Sequence, residues 1–243
     1  MKALILAAGI ASRLRPLTDN TPKCLLKVGD KCILERAIEN ILHNNIRDIA
    51  IVTGYLEEQI KLFLTNRFKE VSFTYIHNNL YASTNNIYSL WLARNSVMDD
   101  DMLMMDSDIV FDHRIPGKLI NSGHRNCLAL KKHALGDEEI KVRADGQMRV
   151  LEISKIVKPA EAAGESIGIE LFSRESLPLL YKILDKKVAD EKMVNIFYEV
   201  AFEEFVRSGE EIYAIDCSEY YCTEIDTEAD LHTAAENYDR GIK

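Results

Sequence analysis

Residues 4–28, LILAAGIASRLRPLTDNTPKCLLKV, join a buried-strand pattern to a long polar loop. The run at 3–8 is apolar without alternation, as a strand covered on both faces requires. A loop that leaves such a strand at its carboxyl end lies where open α/β sheets bind ligands. This loop holds one glycine, two prolines and the cations Arg13, Arg15, Lys23 and Lys27, with Asp19 as its only acid.

Outward from that loop, apolar runs alternate with helical spacing. Residues 32–45 carry Ile33, Leu34, Ala37, Ile38, Ile41 and Leu42 at helical intervals. Strands are expected at 48–54, 71–76 and 101–111, with helices at 55–66 and 85–96 between them. This β-α-β-α-β-α-β succession predicts an α/β fold, a mostly parallel mixed sheet with helices on both faces. Further on, 126–132 reads as a strand, and Asp145-Gly146 lies between alternating apolar residues as a hairpin signal over 139–154. A strand at 166–175, helices at about 173–187 and 194–208, and a strand at 211–218 follow. A final helix over 226–240 starts with a Thr227-x-x-Asp230 capping pattern. No repeat or Gly/Ser/Pro linker divides the chain, so one domain over 1–243 is expected.

The 39 acidic residues outnumber 30 Lys and Arg, for a net charge of -9. With no basic run to offset it, this argues against nucleic-acid and membrane-surface binding. The five cysteines are scattered without a C-x-x-C pair, so zinc spacing and a disulfide framework are not indicated and reduced thiols are expected. The first apolar run is about six residues long, too short for a signal-peptide core, and no later stretch could span a bilayer. A cytoplasmic protein without membrane insertion is expected; self-association into a homo-oligomer stays open.

Small residues at Ala7, Ala8 and Gly9 let backbone N–H groups approach anionic oxygens, and Arg13, Arg15 and Lys23 add positive donors. The set suits a triphosphate, although neither G-x-G-x-x-G nor G-x-x-x-x-G-K-(S/T) is present. On residue types alone, an ordinary solvated surface loop fits equally well. A second feature is Asp106-Ser107-Asp108, where two acids share parity at the end of an expected strand and so face one side. A third is Asp226, just before the cap Thr227, which helix-start electrostatics alone would also explain.

Residues 6–23 resemble the signature of nucleotidyltransferases that make sugar nucleotides and CDP-alcohols, approximately L-A-A-G-x-G-(S/T)-R-(L/M)-x-P-L-T-x-x-x-P-K. Ala11 stands where that pattern has its second glycine; if the position needs φ > 0, alanine is strained there. The resemblance implies a Rossmann-like fold of the nucleotide-diphospho-sugar transferase type. It implies that Leu6, Ala7, Ala8 and Gly9 meet the nucleotide, Arg13 the leaving phosphates and Lys23 the α-phosphate. It also implies that Asp108 and Asp226, the latter in TEIDTEADL, hold a Mg²⁺ ion; Asp106 is left without a role.

Residues 76–93, IHNNLYASTNNIYSLWLA, are similar to a stretch of phosphocholine cytidylyltransferases and their relatives acting on aminoethylphosphonate or inositol phosphate. That adds Asn78, Ser83 and Asn85 to the nucleotide side, although Asn85 and Asn86 are equally good helix caps. The segment 152–173 is similar to the same group and implies that Lys155 contacts the acceptor phosphate. A quaternary ammonium would call for an aromatic box, worth roughly 0.5–2 kcal/mol per contact. Tyr81, Tyr88, Tyr220 and Tyr221 are candidates for it, with Glu170 or Glu224 as counter-charges.

The expected activity is Mg²⁺-dependent transfer of CMP from CTP to a phospho-alcohol or phosphonate, with pyrophosphate released. A sugar-1-phosphate nucleotidylyltransferase is the nearest alternative. A glycosyltransferase using the D-x-D at 106–108 and a catalytically inactive nucleotide sensor are the remaining ones.

Overall fold

The computed structural model describes residues 1–239. Its centre is β1 (Lys2–Ala7), flanked in parallel by β4 (Asp48–Thr53) and β6 (Met102–Asp106). Beyond β4, β5 (Ser72–His77) forms the parallel edge. Two short strands, β2 (Lys27–Val28) and β3 (Lys31–Cys32), form a hairpin after the first loop, and β7 (Ile109–Phe111) follows β6 after a turn.

The other half of the sheet is where parallel order ends. The long β11 (Gly164–Phe172) pairs antiparallel with β6 on one side and with β8 (Asn126–Lys131) on the other. Its first two residues also pair with β9 (Lys141–Ala144), which forms the expected hairpin with β10 (Val150–Ser154). β12 (Tyr213–Asp216) adds to β8 in parallel, and β13 (Cys222–Glu224) leaves the sheet to pair antiparallel with β7.

Alternation along β1 explains its unbroken apolar run. Ala3, Ile5 and Ala7 enter one core with α1 (Ile33–His43), α2 (Glu57–Arg67) and α5 (Arg114–Ile120). Leu4, Leu6 and Ala8 enter the other, which is closed by α3 (Asn86–Leu92), α4 (Arg94–Val97), α6 (Leu177–Asp185) and α7 (Glu199–Arg207). Each fully buried Leu or Ile contributes about 1.5–3 kcal/mol, so both faces of the strand are committed. A third, smaller cluster packs α8 (Glu228–Asp239) against the first loop through Leu14, Leu26, Val28 and Ile225. Arg240, the last residue of the expected final helix, lies outside the described residues. Among the described residues no helix is long and apolar enough to cross a membrane.

Several sequence expectations need correction. The strand expected over 101–111 breaks at Ser107-Asp108, because β7 turns away from the sheet to pair with β13. The helix expected from about 173 starts at Leu177 and ends in a π turn at 186–190; the next starts at Glu199 rather than 194. The late strand is shortened to four residues.

Candidate active site

The carboxyl ends of β1 and β6 open into a cleft of about 770 Å³. Leu6, Ala7, Ala8 and Gly9 form its edge, and the first loop folds over it as two short 3₁₀ turns, Ser12–Leu14 and Lys23–Leu25. Ala11 adopts φ 53°, ψ 52°, so the residue in place of the second glycine is left-handed, as the sequence argument feared. Two contacts hold it there: Thr18 Oγ1 donates to the Ala11 carbonyl (2.9 Å), and the Tyr55 hydroxyl donates to the carbonyls of Thr18 and Asp19 (3.0 and 2.8 Å).

The charges gather at one point. Lys23 Nζ donates to Asp108 Oδ2 (2.7 Å) and Asp226 Oδ1 (2.9 Å), while Arg13 Nη2 donates to Asp226 Oδ2 (2.7 Å). Burial by itself pulls the Lys23 pKa down, but Asp108 and Asp226 outweigh it and leave the ammonium above the usual lysine value. The β7–β13 pairing makes this possible: Glu224 lies opposite Ile109, and the Ile225 N–H donates to the Asp108 carbonyl at 2.9 Å. Asp230 then accepts from the N–H groups of Asp226 (3.1 Å) and Thr227 (2.7 Å), so the cap of α8 also fixes the backbone of Asp226.

Asp108, Glu224 and Asp226 each offer an oxygen within 4.8 Å of the others, a group that could hold a divalent ion. Carboxylates are the ligands hard cations prefer, and the Lys23 ammonium already sits between two of them as a stand-in cation. The donor set therefore fits such an ion. Glu224 keeps an open side-chain surface, yet desolvation by the cleft wall and the charges of Asp108 and Asp226 push it up to about 7, against Lys23. As part of this group Glu224 was not expected; its same-parity position two residues before Asp226 was the available signal.

Asp106 and Asp108 both line the cleft, as their shared parity predicts, but they are held differently. Asp106, at the last position of β6, accepts from the Tyr198 hydroxyl at 2.9 Å, and burial with the charges of Asp108 and Glu199 holds it well above the ordinary carboxylate range. Its neighbour across the sheet is Gly168 (φ 68°), where an added Cβ would lie 2.8 Å from Asp106 Oδ2.

Asn78 and Asn85, expected on the nucleotide side, and Tyr81, expected at the acceptor, reach the cleft wall. The Asn78 side chain is occupied in shaping the loop: it donates to Thr84 Oγ1 and Ser89 Oγ and accepts from the Leu80 N–H. Asn85 caps α3 by accepting from the Asn86 N–H. Ser83 lies off the cleft, donating to the Leu80 carbonyl.

On the far side Lys155 lines the cleft, its Nζ 3.2 Å from Glu138 and 5.1 Å from the Phe197 ring centre. Glu170 is buried behind the wall, and Tyr221 packs toward α8 in the third cluster. The aromatic box is not assembled. Of its four tyrosines only Tyr81 reaches the cleft; Tyr88 stacks near Trp91, and Tyr220 lies against Arg114 and Lys118. Glu199, at the first position of α7, reaches the cleft without any sequence signal that marked it. Of the other loop cations, Arg15 pairs with Asp19 at the surface, and Lys27 lies exposed in β2.

Residues 2–139 match the nucleotidyl transferase family. The choline-phosphate cytidylyltransferase of Streptococcus pneumoniae is 27% identical, over 91% of this chain and 95% of that one. The CTP:phosphoglutamine cytidylyltransferase of Campylobacter jejuni is 28% identical over 97% and 100%. The solved structure of the S. pneumoniae CTP:phosphocholine cytidylyltransferase superposes with a TM-score of 0.83, covering 98% of each chain at 27% identity.

Proposed function

Because the chain belongs to the nucleotidyl transferase family and is a nucleotidyltransferase enzyme, we propose that it transfers CMP from CTP to a phospho-alcohol or phosphonate, with Mg²⁺ as the metal. The observation that carries the reading is the meeting of Arg13 and Lys23 with Asp108 and Asp226 at the mouth of one cleft. Two relatives that extend over more than nine-tenths of both chains are named for cytidylyl transfer, which supports CTP as the donor.

In this reaction an acceptor oxygen forms a bond to the α-phosphorus as the bond to the bridging oxygen breaks, and pyrophosphate leaves with that electron pair. The attacking oxygen is already anionic, so no general base is required. The work of the chain is positioning and charge neutralisation. Backbone N–H groups around Ala8 and Gly9 face the phosphates. Lys23 exchanges its carboxylate partners for the α-phosphate, and Arg13, exposed at the rim, turns from Asp226 to the leaving group. Asp108 and Asp226, with Glu224 in reach, would hold Mg²⁺, which when bound offsets the negative charge of the triphosphate. Lys155 meets the acceptor phosphate.

Pyrophosphate release is the test, run with each of the four common NTPs against phosphocholine, aminoethylphosphonate, inositol-1-phosphate and hexose-1-phosphates. CTP-dependent release with a phospho-alcohol or phosphonate is expected. Release confined to hexose-1-phosphates would replace the acceptor assignment with the sugar-nucleotide alternative. Lys23→Ala should abolish turnover in a folded protein; full turnover would remove Lys23 from the mechanism.

A further inference from the structure

Building on the acceptor reading above, we propose that the far half of the cleft selects acceptors that end in a primary ammonium, with Glu199 as the carboxylate that receives it. The wall there carries Asp106 and Glu199, from the end of β6 and the start of α7, with Glu170 of β11 buried behind them. Donors are too few for these three carboxyl groups. The Tyr198 hydroxyl serves Asp106 at 2.9 Å, and the Ser166 hydroxyl serves Glu170 Oε1 at 3.4 Å. Glu170 Oε2 and Glu199 Oε2 are both buried without a hydrogen-bond partner.

These are deeply placed groups, Glu170 being 1% exposed and Glu199 7% exposed, and of the two Glu199 reaches the cleft. A buried carboxylate oxygen without a donor is costly, and a ligand that brings N–H groups and positive charge removes that cost on binding. The nearby protein cation does not do so. Lys155 acts on Glu199 only through its charge, since its Nζ bonds Glu138 and lies over Phe197.

The chemistry of the wall separates two kinds of cation. A trimethylammonium has no N–H to offer and is held by the faces of aromatic rings. Among the described residues lining the cleft the benzenoid rings are Tyr81 and Phe197, and the Lys155 ammonium already covers Phe197 at 5.1 Å, which leaves one ring and no box. A primary ammonium has three N–H donors and suits a wall short of donors. Glu199 is thus a specificity-determining residue for the acceptor's far end, while Lys155 serves its phosphate.

The test is wild-type kinetics of CTP-dependent pyrophosphate release with phosphoethanolamine, phosphocholine and the neutral n-propyl phosphate. We expect kcat/KM at least tenfold higher for phosphoethanolamine than for either other acceptor. Glu199→Gln should erase that ranking by raising the KM for phosphoethanolamine about tenfold, with the KM for CTP unchanged. Equal or better use of phosphocholine overturns the assignment and leaves cytidylyl transfer standing. So does a Glu199→Gln protein that slows all three acceptors in equal proportion. Release with hexose-1-phosphates and none of these three overturns the proposed function itself, and the ammonium assignment with it. Should the variant fail to fold, the wild-type ranking decides alone.

Discussion

Replacing Lys23 by Met tests whether the ammonium acts as an internal cation. Methionine keeps most of the stem, which is only 13% exposed, while deleting the charge that touches Asp108 at 2.7 Å and Asp226 at 2.9 Å. What remains is a group of three carboxyl groups whose nearest oxygens lie within 4.8 Å of one another. Two unit charges at that separation repel by about 3.5 kcal/mol at an effective dielectric constant near 20. Some of that repulsion is relieved by side-chain movement and water, so a loss of about 1–3 kcal/mol in stability at pH 8 is expected. A divalent ion should restore it. Mn²⁺ titration followed by electron paramagnetic resonance, without nucleotide, should give binding at least about tenfold tighter for Lys23→Met than for the wild type, a difference of about 1.4 kcal/mol. Thermal unfolding with and without millimolar Mg²⁺ should move in parallel, with the larger rise in the variant. Equal Mn²⁺ affinity in the two proteins would refute the reasoning, since Lys23 would then not be competing for the site. On the expected result, Lys23 would leave the carboxylates when a triphosphate binds, and Asp108 and Asp226 would then be free to hold the ion.

Three further outcomes follow from particular backbone and charge environments. Ala11→Gly should raise stability by about 0.5–1 kcal/mol, because relief of a left-handed alanine (about 1–2 kcal/mol) exceeds the entropy that glycine adds to the unfolded chain; an unchanged or lower Tm would mean the turn is not strained. Gly168→Ala should cost about 2–3 kcal/mol, since it combines φ 68° with a 2.8 Å approach to Asp106 Oδ2; a wild-type denaturant midpoint would contradict this. Asp216, although partly desolvated, is held at about 2 by Lys132 and Ser218. Its folded value lies below its unfolded value near 3.9, so its contribution is full above about pH 4 and lost as pH falls toward 2. With 42% of the side chain exposed, screening limits that contribution to at most about 1 kcal/mol. Asp216→Asn should therefore trail the wild type at pH 7 and match it near pH 2; a gap of constant size would disprove the linkage.

Local pattern made β1 and α1 legible, because an apolar run and a 3.6-residue spacing report burial directly. The antiparallel insertion of β11 between β6 and β8 was not legible, since strand order is decided by partners far apart in the chain. The same holds within the site. Arg13, Lys23, Asp108 and Asp226 lie in short, recognisable stretches, and the structure brings them into contact. Parity put Asp106 and Asp108 on one cleft, but it could not tell that Lys23 would meet Asp108 while Tyr198 meets Asp106. Glu199 had no signal because nothing in its neighbours says that a helix start will sit beside the end of β6. The tyrosine box is incomplete for another reason: Tyr88, Tyr220 and Tyr221 each had a nearer apolar or cationic neighbour to cover them, and only Tyr81 stays at the cleft.

The β7–β13 pairing also imposes an order in time. Lys23 and Asp226 are 203 residues apart in the chain, and Lys23 and Asp108 are 85 apart. At about 5–20 residues per second of synthesis, Asp226 is made on the order of 10–40 s after Lys23. For most of that interval a nascent chain can hold Lys23 with Asp108 alone, and it lacks the second carboxylate of the group that could hold an ion. The carboxylate group that meets Lys23 is thus complete only once β13 and the cap of α8 have been made.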